Sequence, residues 1–342
     1  MSTLHPTYAA DLQLALSAVE HGEWAFGKTF FITGGSGLVG SCIIDALMMM
    51  NMEASAGIHI YATFTAERSY AERFAAYVGH PCFHPIIQDL CLPLAWDGTA
   101  DYIVHGASNT HPRLYAADPV GTAKLNILGT LSMLEIACRN SACRMLFLSS
   151  YEVYGQKADR IAFSEDEVGF LDFNIPRASY PESKRMSETL CRSAASVGNA
   201  QAMVARLGSI YGPTVKADSS KADVQFLNNV LRGLPIVMKS PGTNPRSWCY
   251  VTDTVQGILR ILQSGQSGAA YNVANTQASL SEVAHILADM AGQSVICENP
   301  NDIPRYELTI NPDKLMALGW TPHFSLQQGF SHTYNIKKDL IP

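Results

Sequence analysis

The amino-acid sequence predicts an α/β protein, a doubly wound parallel sheet joined to a smaller C-terminal α/β domain. Short apolar runs alternate with amphipathic stretches of roughly 10–20 residues, a pattern typical of βαβ units. A glycine-rich turn joins the first apolar run to the first long helical stretch. The chain has 342 residues, of which 47% are hydrophobic, so it is long and apolar enough for about two domains with sizeable cores.

Each element follows from its local pattern. Apolar runs bounded by turn residues predict strands at 29–33, 58–64, 102–106, 144–148 and 202–207. Apolar residues at helical spacing predict helices at 38–52, 66–78, 118–139 and 180–196. Beyond residue 212 the same criteria predict strands at 236–238, 271–273 and 295–297, and helices at 224–232, 252–263, 279–291 and 325–337. A short helical pattern precedes the first strand and ends near Gly22.

The turn after the first predicted strand reads Thr33-Gly-Gly-Ser-Gly-Leu-Val-Gly40. Its glycines allow a tight turn, close approach of a pyrophosphate to the backbone, and close packing of the helix on the strand. A purely structural turn is the alternative, but the strand–turn–helix context favours a Rossmann-like dinucleotide site. We expect cofactor contacts at Gly34, Ser36, Gly37, Leu38, Val39 and Gly40. The expected organisation is a helical extension at 1–27, a dinucleotide-binding Rossmann domain at 28–212 and a mainly substrate-binding domain at 213–342.

The second predicted strand leaves the choice between NAD and NADP open. An NAD site usually has a carboxylate near the end of this strand to bind the adenosine ribose, and here the strand ends Thr63-Phe-Thr-Ala-Glu-Arg68. Thr65 and Arg68 could instead accept a 2′-phosphate, or Arg68 could be a solvated surface cation. Asp89 and Leu90 are expected near the adenine, with a surface turn as the alternative for Asp89. We favour NAD and do not exclude NADP.

Composition excludes several other classes of function. The 24 basic residues do not exceed the 30 acidic ones, so no nucleic-acid partner is expected. The longest apolar run, 43–50, is interrupted by Asp45 and is shorter than the ~20 residues that span a bilayer. Eight cysteines without a C-x-x-C pair, and no secretion signal, favour free thiols in the cytoplasm. The histidines are scattered without metal-ligand spacing, so no metal is expected.

Two Tyr-x-x-x-Lys sequences occur, Tyr180 with Lys184 and Tyr334 with Lys338. On a helix, residues four apart share a face, and a lysine ammonium beside a phenol lowers the pKa of the phenol towards that of a useful base. Tyr180 also lies 30 residues after Ser150, which follows a predicted strand, whereas Tyr334 has no such partner. We therefore predict that Ser150, Tyr180 and Lys184 are catalytic and that Tyr334 is a surface residue.

These motifs resemble those of extended short-chain dehydrogenase/reductases, in the NAD-dependent epimerase/dehydratase family that modifies nucleotide sugars. The resemblance covers about 28–337 and includes the G-x-x-G-x-x-G spacing of the glycine-rich turn. Further motifs are His105-Gly-Ala-Ser108, Asn126-Ile-Leu-Gly-Thr130, Arg206-x-x-x-x-Tyr-Gly-Pro213, Arg246 seven residues before Asp253, Tyr271-Asn-Val-Ala-Asn275 and Leu318-Gly-Trp320. The resemblance implies that the cofactor is also contacted by Gly106, Ala107, Ser108, Asn126, Tyr180 and Lys184.

Within this family, the segment Ser150-Tyr-Glu-Val-Tyr-Gly155 is most similar to decarboxylases and 4,6-dehydratases, which have a glutamate where Glu152 stands. C4 epimerases usually have small residues there. Dehydratases normally have an aspartate where Tyr151 stands, so its absence favours UDP-glucuronate-type decarboxylation. The stretches 180–191 and 314–320 are also similar to those of UDP-glucuronate decarboxylases. Ser209 replaces a usual asparagine, which suggests a divergent substrate.

The resemblance also implies a mechanism and a set of substrate contacts. Tyr180 takes the proton of the sugar C4 hydroxyl, Ser150 binds the same oxygen, and Glu152 serves C5 or C6 chemistry unless it is a turn acid facing water. The nucleotide-sugar substrate is expected to contact Ser108, Tyr151, Glu152, Ser209, Lys221, Arg246 and Arg305. A surface position is the alternative for Lys221, Arg246 and Arg305. A 4,6-dehydratase, a C4 epimerase and a non-enzymatic NAD(P)-sensing regulator remain alternatives.

Assembly is a further expectation from the resemblance. Extended members of the superfamily pair through two helices per subunit, which form a four-helix bundle between two copies. The matching helices here are 118–139 and 180–196. The first is more apolar than one buried face requires, with leucines at 125, 128, 131 and 134 and isoleucines at 127 and 136. We therefore expect a homodimer.

Overall fold

The computed structural model describes residues 4–18, 22–157, 159, 161–302 and 308–341. The strands are β1 (Thr29–Thr33), β2 (His59–Phe64), β3 (Phe83–Ile87), β4 (Tyr102–His105), β5 (Arg144–Ser150), β6 (Gln201–Leu207), β7 (Ser209–Tyr211), β8 (Ile236–Met238), β9 (Pro245–Tyr250), β10 (Ala270–Val273), β11 (Thr276–Ser279) and β12 (Val295–Cys297). The helices are α1 (Pro6–Ser17), α2 (Leu38–Ala54), α3 (Arg68–Ala71), α4 (Pro112–Ala117), α5 (Pro119–Ala137), α6 (Ser179–Ser196), α7 (Ala222–Leu231), α8 (Val251–Ser264), α9 (Leu280–Ala291), α10 (Asp313–Met316) and α11 (Leu326–Asp339). Short 3-10 helices lie at Gly22–Ala25, Tyr151–Tyr154 and Pro176–Ala178.

The central sheet confirms the predicted doubly wound α/β fold. Among the described residues, seven strands form one sheet in the order β10-β6-β5-β4-β1-β2-β3. Every neighbouring pair in it is parallel. The strand order reverses between β1 and β4, which leaves a crevice at their carboxyl ends. Ligands of open α/β sheets bind at such a switch point, so the fold itself indicates where to look for the cofactor.

Helices cover both faces of this sheet, as buried parallel strands require. Successive side chains of a strand point to opposite faces, and β1 accordingly contributes to two cores. Phe30 and Ile32 pack into the larger apolar cluster, which includes residues of α2 and α8. Phe31 packs into the cluster on the other face, with residues of α5 and β5. Full burial of such a side chain contributes roughly 1.5–3 kcal/mol, so β1 is anchored from both sides before any ligand binds.

The chain beyond residue 212 builds two small sheets and also returns to the large one. The small sheets have the orders β11-β9-β7 and β12-β8. Strand β10 pairs with β6 at the edge of the central sheet, with Ala270 opposite Val204. The division at residue 212 stays a prediction. The return of β10 nevertheless means that the sheet is completed by a segment from the C-terminal part of the chain.

Helix α1 precedes the sheet and is joined to α2 and β9 by buried acidic groups. The Tyr8 hydroxyl donates to the Asp45 carboxylate of α2 at 2.9 Å. The Tyr250 hydroxyl donates to the Asp11 carboxylate at 2.8 Å. Asp45 also forms an ion pair with Arg73. Each of these acids has partners for its oxygens, as burial of a charge requires.

The predicted helix at 66–78 is wrong in length. The structure has only the short helix α3, followed by turns as far as Gly79. The irregular backbone directs Phe74 and Tyr77 into the core and lets the Tyr77 hydroxyl donate to Asp45 at 3.1 Å. Long-range packing therefore overrides the local helical pattern.

Strands β3, β7, β9 and β11 and helix α4 were not predicted, because they are short and lack clear periodicity. Within the described ranges, no helix is long and apolar enough to cross a membrane.

Candidate active site

The glycine-rich turn lies at the carboxyl end of β1, beside the switch point. Gly34 has φ +73, and a Cβ there would lie 2.9 Å from the backbone nitrogen of Ala107. A Cβ at Gly40 would overlap the Gly34 carbonyl oxygen. Only glycine therefore fits these two positions. The turn can approach the segment after β4 closely, as a dinucleotide cradle requires.

The start of α2 is suited to an anion. Over the described part of the chain, no side chain caps the helix at Gly37, and its first turn holds no acidic residue. The N–H groups of the first turn have no partner within a helix. Leu38, Val39 and Gly40 contribute such groups, and Ser36 adds a hydroxyl in the turn. The predicted diphosphate contacts thus lie together on one short segment, with the positive end of the helix dipole behind them.

The segment after β4 is joined to β1 through Thr33. The Thr33 hydroxyl oxygen accepts the N–H groups of Gly106 and Ala107, both at 3.1 Å, and lies 2.7 Å from Nδ1 of His105. Burial, and after it the charge of Lys184, lower the pKa of His105 to about 3, so this imidazole is neutral. The bonds hold Gly106 and Ala107 against β1 beside the glycine-rich turn, and their contact with the cofactor stays a prediction.

Two predicted cofactor residues have buried polar atoms without a partner among the described residues. They are Oγ of Ser108 and Oδ1 of Asn126, and neither has a hydrogen-bond partner within the described ranges. The amide nitrogen of Asn126 donates to the Ser183 hydroxyl of α6 at 2.8 Å, which fixes the orientation of the amide. Buried polar groups usually have partners, so these two atoms fit contacts to a bound ligand. The site therefore fits a dinucleotide at both the glycine-rich turn and α5.

The ends of β2 and β3 carry the residues expected near the adenosine. Thr65 and Arg68 are exposed just beyond β2, where a ribose or a 2′-phosphate would be accessible to them. Asp89 is also exposed, and its carboxylate accepts the backbone N–H of Cys91 at 2.9 Å. The side chain of Leu90 is buried in the core. A contact of this segment with the adenine stays a prediction.

Ser150 and Tyr180 meet as predicted. Ser150 ends β5, and its hydroxyl accepts the Glu152 N–H at 3.2 Å, which starts the 3-10 turn at Tyr151–Tyr154. Tyr180 lies in the first turn of α6, and its ring stacks on Tyr115 with the centroids 5.1 Å apart. Burial and then the negative charge of Glu152 raise the pKa of Tyr180, while a hydrogen bond with Ser150 lowers it. Ser150 and Glu152 therefore act on the phenol in opposite directions.

Lys184 has a different environment from the one predicted. Its ammonium donates to the carbonyl of Leu148 in β5 at 2.9 Å and lies 4.6 Å from the centroid of the Phe147 ring. Burial lowers the pKa of Lys184 to about 7, although Glu188 raises it. The sequence predicted a lowered pKa for Tyr180, and the structure has a raised one. The reason is that burial, which a helical spacing does not reveal, acts on both groups.

A buried ionic network fixes α6 against the sheet behind the site. Arg206 of β6 and Glu188 of α6 form an ion pair at 2.7 Å. The Ser149 hydroxyl donates to the same carboxylate at 2.6 Å. Ser149 precedes Ser150, and Glu188 lies one turn after Lys184. The network therefore fixes the register of β5 against α6, since removing one partner would leave a buried charge unpaired.

The opposite wall of the site contains two residues that the sequence did not single out. The Arg177 guanidinium forms an ion pair with Glu152 at 3.1 Å and donates to the Tyr115 hydroxyl at 3.2 Å. Tyr115 in turn stacks on Tyr180. The sequence offered one signal for Arg177, its position three residues before Tyr180. Glu152 is thus an ion-paired residue of the site and not a turn acid facing only water.

Four of the remaining predicted substrate residues form two groups in the structure. The Tyr151 hydroxyl and the Ser209 hydroxyl are 3.1 Å apart. Burial raises the pKa of Asp223, and the charges of both Lys221 and Arg246 lower it, which places the two cations around one carboxylate. Arg305 lies outside the described residues. Among those that are described, no group of His, Cys, Asp or Glu side chains could hold a metal ion.

Comparison with known proteins agrees with this geometry. Residues 30–274 match the family model of the NAD-dependent epimerase/dehydratase family. The chain belongs to this family. Membership makes it an NAD-dependent enzyme. The glycine-rich turn and Asn126, which fit a dinucleotide, agree with this membership.

Two named relatives of this chain are UDP-glucuronic acid decarboxylases. UDP-glucuronic acid decarboxylase 6 of Arabidopsis thaliana is 32% identical over 304 residues, which cover 87% of this chain and 85% of that protein. UDP-glucuronic acid decarboxylase 1 of Xenopus tropicalis is 32% identical over 319 residues, covering 92% of this chain and 73% of that protein. The similarity therefore extends well beyond the cofactor motifs.

Solved structures of other family members share the fold. The dTDP-glucose 4,6-dehydratase DesIV of Streptomyces venezuelae, with NAD and TYD bound, has a TM-score of 0.78 at 23% identity and covers 91% of this chain and 97% of its own. The UDP-glucuronic acid 4-epimerase of Bacillus cereus, in complex with UDP-glucuronic acid and NAD, has a TM-score of 0.76 at 22% identity, covering 91% and 99%. At these identities the likeness concerns the fold alone.

Proposed function

We propose that this enzyme decarboxylates a nucleotide-linked uronic acid, with UDP-glucuronate as the first candidate. The observation that carries the proposal is the turn after β5, where Glu152 is paired with Arg177 while Tyr151 stands where a dehydratase needs an acid for the leaving hydroxyl. A phenol has a pKa near 10 and is a weaker acid than a carboxyl group, so elimination of water is handicapped here. The decarboxylase relatives support the same choice.

The first step is oxidation of the sugar at C4. When bound, NAD supplies the acceptor for the C4 hydride and a positive charge. Tyr180 takes the proton of the C4 hydroxyl on its phenol oxygen, and Ser150 holds the same sugar oxygen by a hydrogen bond. Because burial and Glu152 raise the pKa of Tyr180, the phenol needs a nearby cation to act as a base at neutral pH. Lys184, one helical turn away, is the chain's own candidate.

The second step is loss of the C6 carboxylate. Once C4 is a ketone, this carboxylate is β to a carbonyl group, and the electrons of the C5–C6 bond can move towards the C4 oxygen as CO2 departs. Ser150 and Tyr180 already hold that oxygen and stabilise the charge that develops on it. Arg177 and Glu152 lie beside this oxygen site, where they can orient the carboxylate and hold a proton for C5. The hydride would then return to C4 and Tyr180 would return the proton to the C4 oxygen, so that the net change in the sugar is the loss of CO2.

The diphosphate of the substrate is assigned to the cations on the C-terminal side. Arg246 has a planar fork that suits two phosphoryl oxygens, and Lys221 adds a point charge. The charges of both lower the pKa of Asp223, which supports a common role for the two cations. Ser209, which contacts Tyr151, is assigned to the sugar or its ribose.

The decisive experiment is incubation of the purified protein with a panel of UDP-, dTDP-, CDP- and GDP-linked hexoses and uronates. Mass spectrometry should show a uronate losing the mass of CO2. A hexose losing the mass of water, with every uronate unchanged, would contradict the proposal in favour of a dehydratase. An unchanged panel, with NAD still bound, would favour an NAD(P)-sensing regulator.

We also propose a homodimer through α5 and α6. Apolar side chains remain exposed on both helices, namely Val120, Leu128, Leu131 and Met186. Leu131→Glu should yield a monomer in sedimentation at micromolar concentration. Val237→Glu is a matched control, because Val237 is 42% exposed and Leu131 40%, and it should leave assembly unchanged. A monomeric wild type would contradict the proposal.

The cytoplasm is the proposed compartment. All eight cysteines are free in the structure, and Cys42, Cys143, Cys191 and Cys249 are buried. Free thiols are expected where the surroundings are reducing. Fractionation of cells that produce the untagged protein tests this assignment, and recovery in a membrane or secreted fraction would contradict it.

A further inference from the structure

The segment 213–221 joins β7 to α7 and passes over the glycine-rich turn. The Thr214 hydroxyl donates to the carbonyl of Leu38 in the first turn of α2 at 2.8 Å. The Lys337 ammonium of α11 donates to the carbonyl of Val215 at 2.8 Å. The backbone on the N-terminal side of Lys216 is therefore held by two other elements, and Lys216 starts from a fixed position.

The Lys216 side chain reaches the dinucleotide turn itself. Its ammonium donates to the Ser36 hydroxyl at 3.2 Å. Ser36 lies between Gly34 and Gly37, in the segment that fits the diphosphate. An exposed ammonium on a flexible stem can rotate from a hydroxyl to a phosphoryl oxygen beside it at little cost, because both are acceptors and the phosphoryl bond is charge-assisted.

The electrostatic surroundings leave this positive charge available to an anion. Among the described residues, no carboxylate forms an ion pair with Lys216, and the first turn of α2 holds no acid. The charge of Lys216 also acts on His111. Burial and then Lys221 lower the pKa of His111, Lys216 lowers it further, and Asp218 acts in the opposite direction. Lys216 thus adds charge to an otherwise neutral helix terminus.

We propose that Lys216 is a ligand of the cofactor diphosphate, supplied from outside the Rossmann sheet. The glycine-rich turn provides backbone N–H groups from below, and Lys216 provides an ammonium from the segment above. The same segment ends at Lys221, which is assigned to the substrate diphosphate. One short segment therefore contacts both ligands. The inference depends on NAD binding and not on which sugar the enzyme acts on.

The test is the affinity of Lys216→Ala for ligands that differ in their phosphates. Calorimetry with NAD, ADP and adenosine avoids any dependence on turnover. We expect about tenfold weaker binding of NAD and ADP, equivalent to about 1.4 kcal/mol, and unchanged binding of adenosine, which has no phosphate. Lys216→Arg keeps the charge and should stay within about threefold of the wild type. Raising the salt concentration should reduce the difference between wild type and Lys216→Ala, because salt screens exposed charges.

Two control variants separate this role from others. Lys221→Ala should weaken UDP and leave NAD unchanged, the reverse of Lys216→Ala. Lys239→Ala, at an exposed lysine outside the crevice, should change neither. The proposal is overturned if Lys216→Ala binds NAD and ADP like the wild type, if it loses adenosine to the same degree, or if it weakens UDP instead. None of these outcomes depends on whether a uronate is decarboxylated.

Discussion

Helices α6 and α11 carry the same Tyr-x-x-x-Lys spacing in different surroundings. On α11 the Lys338 ammonium lies over the ring of its own Tyr334, 5.7 Å from the centroid, and Lys338 is exposed. On α6 both side chains are buried and turn to partners on other elements. Tyr180 stacks on Tyr115, and Lys184 donates to a carbonyl of β5.

The difference teaches that the spacing determines only which face of a helix two side chains share. Helix α6 presents that face to β5 and to the 3-10 turn containing Glu152, so its tyrosine meets a serine, a carboxylate and a second ring. On α11, Lys338 forms a local cation–π contact with Tyr334, worth about 0.5–1 kcal/mol at an exposed site. The prediction that Tyr334 is a surface residue is wrong, because its ring is partly buried against the larger apolar cluster. Chemistry therefore depends on the elements opposite the motif.

Replacement of the two tyrosines should give the largest difference. Tyr180→Phe removes the group that accepts the C4 proton, and general-base removal typically costs about 10²–10⁴ in rate. We expect turnover to fall by about 10³ with NAD binding retained, measured by product formation and by calorimetry. Tyr334→Phe is the matched control and should stay within about twofold of the wild type. Near-normal turnover of Tyr180→Phe would contradict the role of Tyr180 as the base and remove the functional difference between the α6 and α11 pairs.

The turn opposite α6 should give the next largest effect. Glu152→Gln should slow turnover by about 100-fold, because Glu152 holds a proton for C5 or C6 chemistry. Tyr151→Phe should cost less, since decarboxylation needs no acid to expel a hydroxyl. A larger loss in Tyr151→Phe than in Glu152→Gln would identify the phenol as a leaving-group acid and favour a dehydratase.

The same Glu152→Gln variant should also change the titration of Tyr180. The charge of Glu152 raises the pKa of Tyr180, so its removal should make the phenol ionise at lower pH. The ultraviolet absorbance of tyrosinate is titrated in each protein and in its own Tyr180→Phe variant, and the difference between the two isolates Tyr180. If this difference titrates at the same pH in the wild type and in Glu152→Gln, Glu152 does not act on the phenol.

Lys184 should make stability depend on pH in a way that Lys338 does not. Burial places the folded-state pKa of Lys184 near 7, below the unfolded value of about 10.4. Between these values the unfolded chain binds more protons, so the free energy of unfolding should rise with pH, by at most about 1.4 kcal/mol per pH unit. Urea unfolding of NAD-free protein between pH 7 and 9 should show a smaller rise in Lys184→Met. Lys338→Met should keep the wild-type slope, and equal slopes in all three proteins would contradict the burial of Lys184.

Tyr115 should show the smallest effect, and one that depends on which part of the side chain is removed. Tyr115→Phe keeps the ring that stacks on Tyr180 and removes only the hydroxyl that Arg177 bonds. We expect about a threefold loss of turnover, because the lost hydrogen bond contributes ~1 kcal/mol or less. Tyr115→Leu removes the stacked ring as well and should cost more. If the two variants have equal rates, the ring contact does not position Tyr180.

The sequence by itself determined the general plan of this protein. Alternating strands and helices specified a parallel sheet, because each crossover needs a helix between parallel strands. The glycine-rich turn specified the close approach of the start of α2 to β1 and to the segment after β4, since no side chain fits at Gly34 or Gly40. The pairing of Ser150 with Tyr180 was also predictable, since one follows a strand and the other begins the next long helix. These features depend on local spacing, which a sequence contains directly.

Only the tertiary structure decided the environment of each group. It placed Arg177 and Tyr115 against Tyr180, and it turned the Lys184 ammonium to the Leu148 carbonyl. It also returned β10 to the central sheet and ended α3 early, so that Phe74 could reach the core. Burial, ion pairing and the direction of a flexible side chain depend on residues far apart in the chain. Periodicity reports which residues share a face, and packing decides what that face meets.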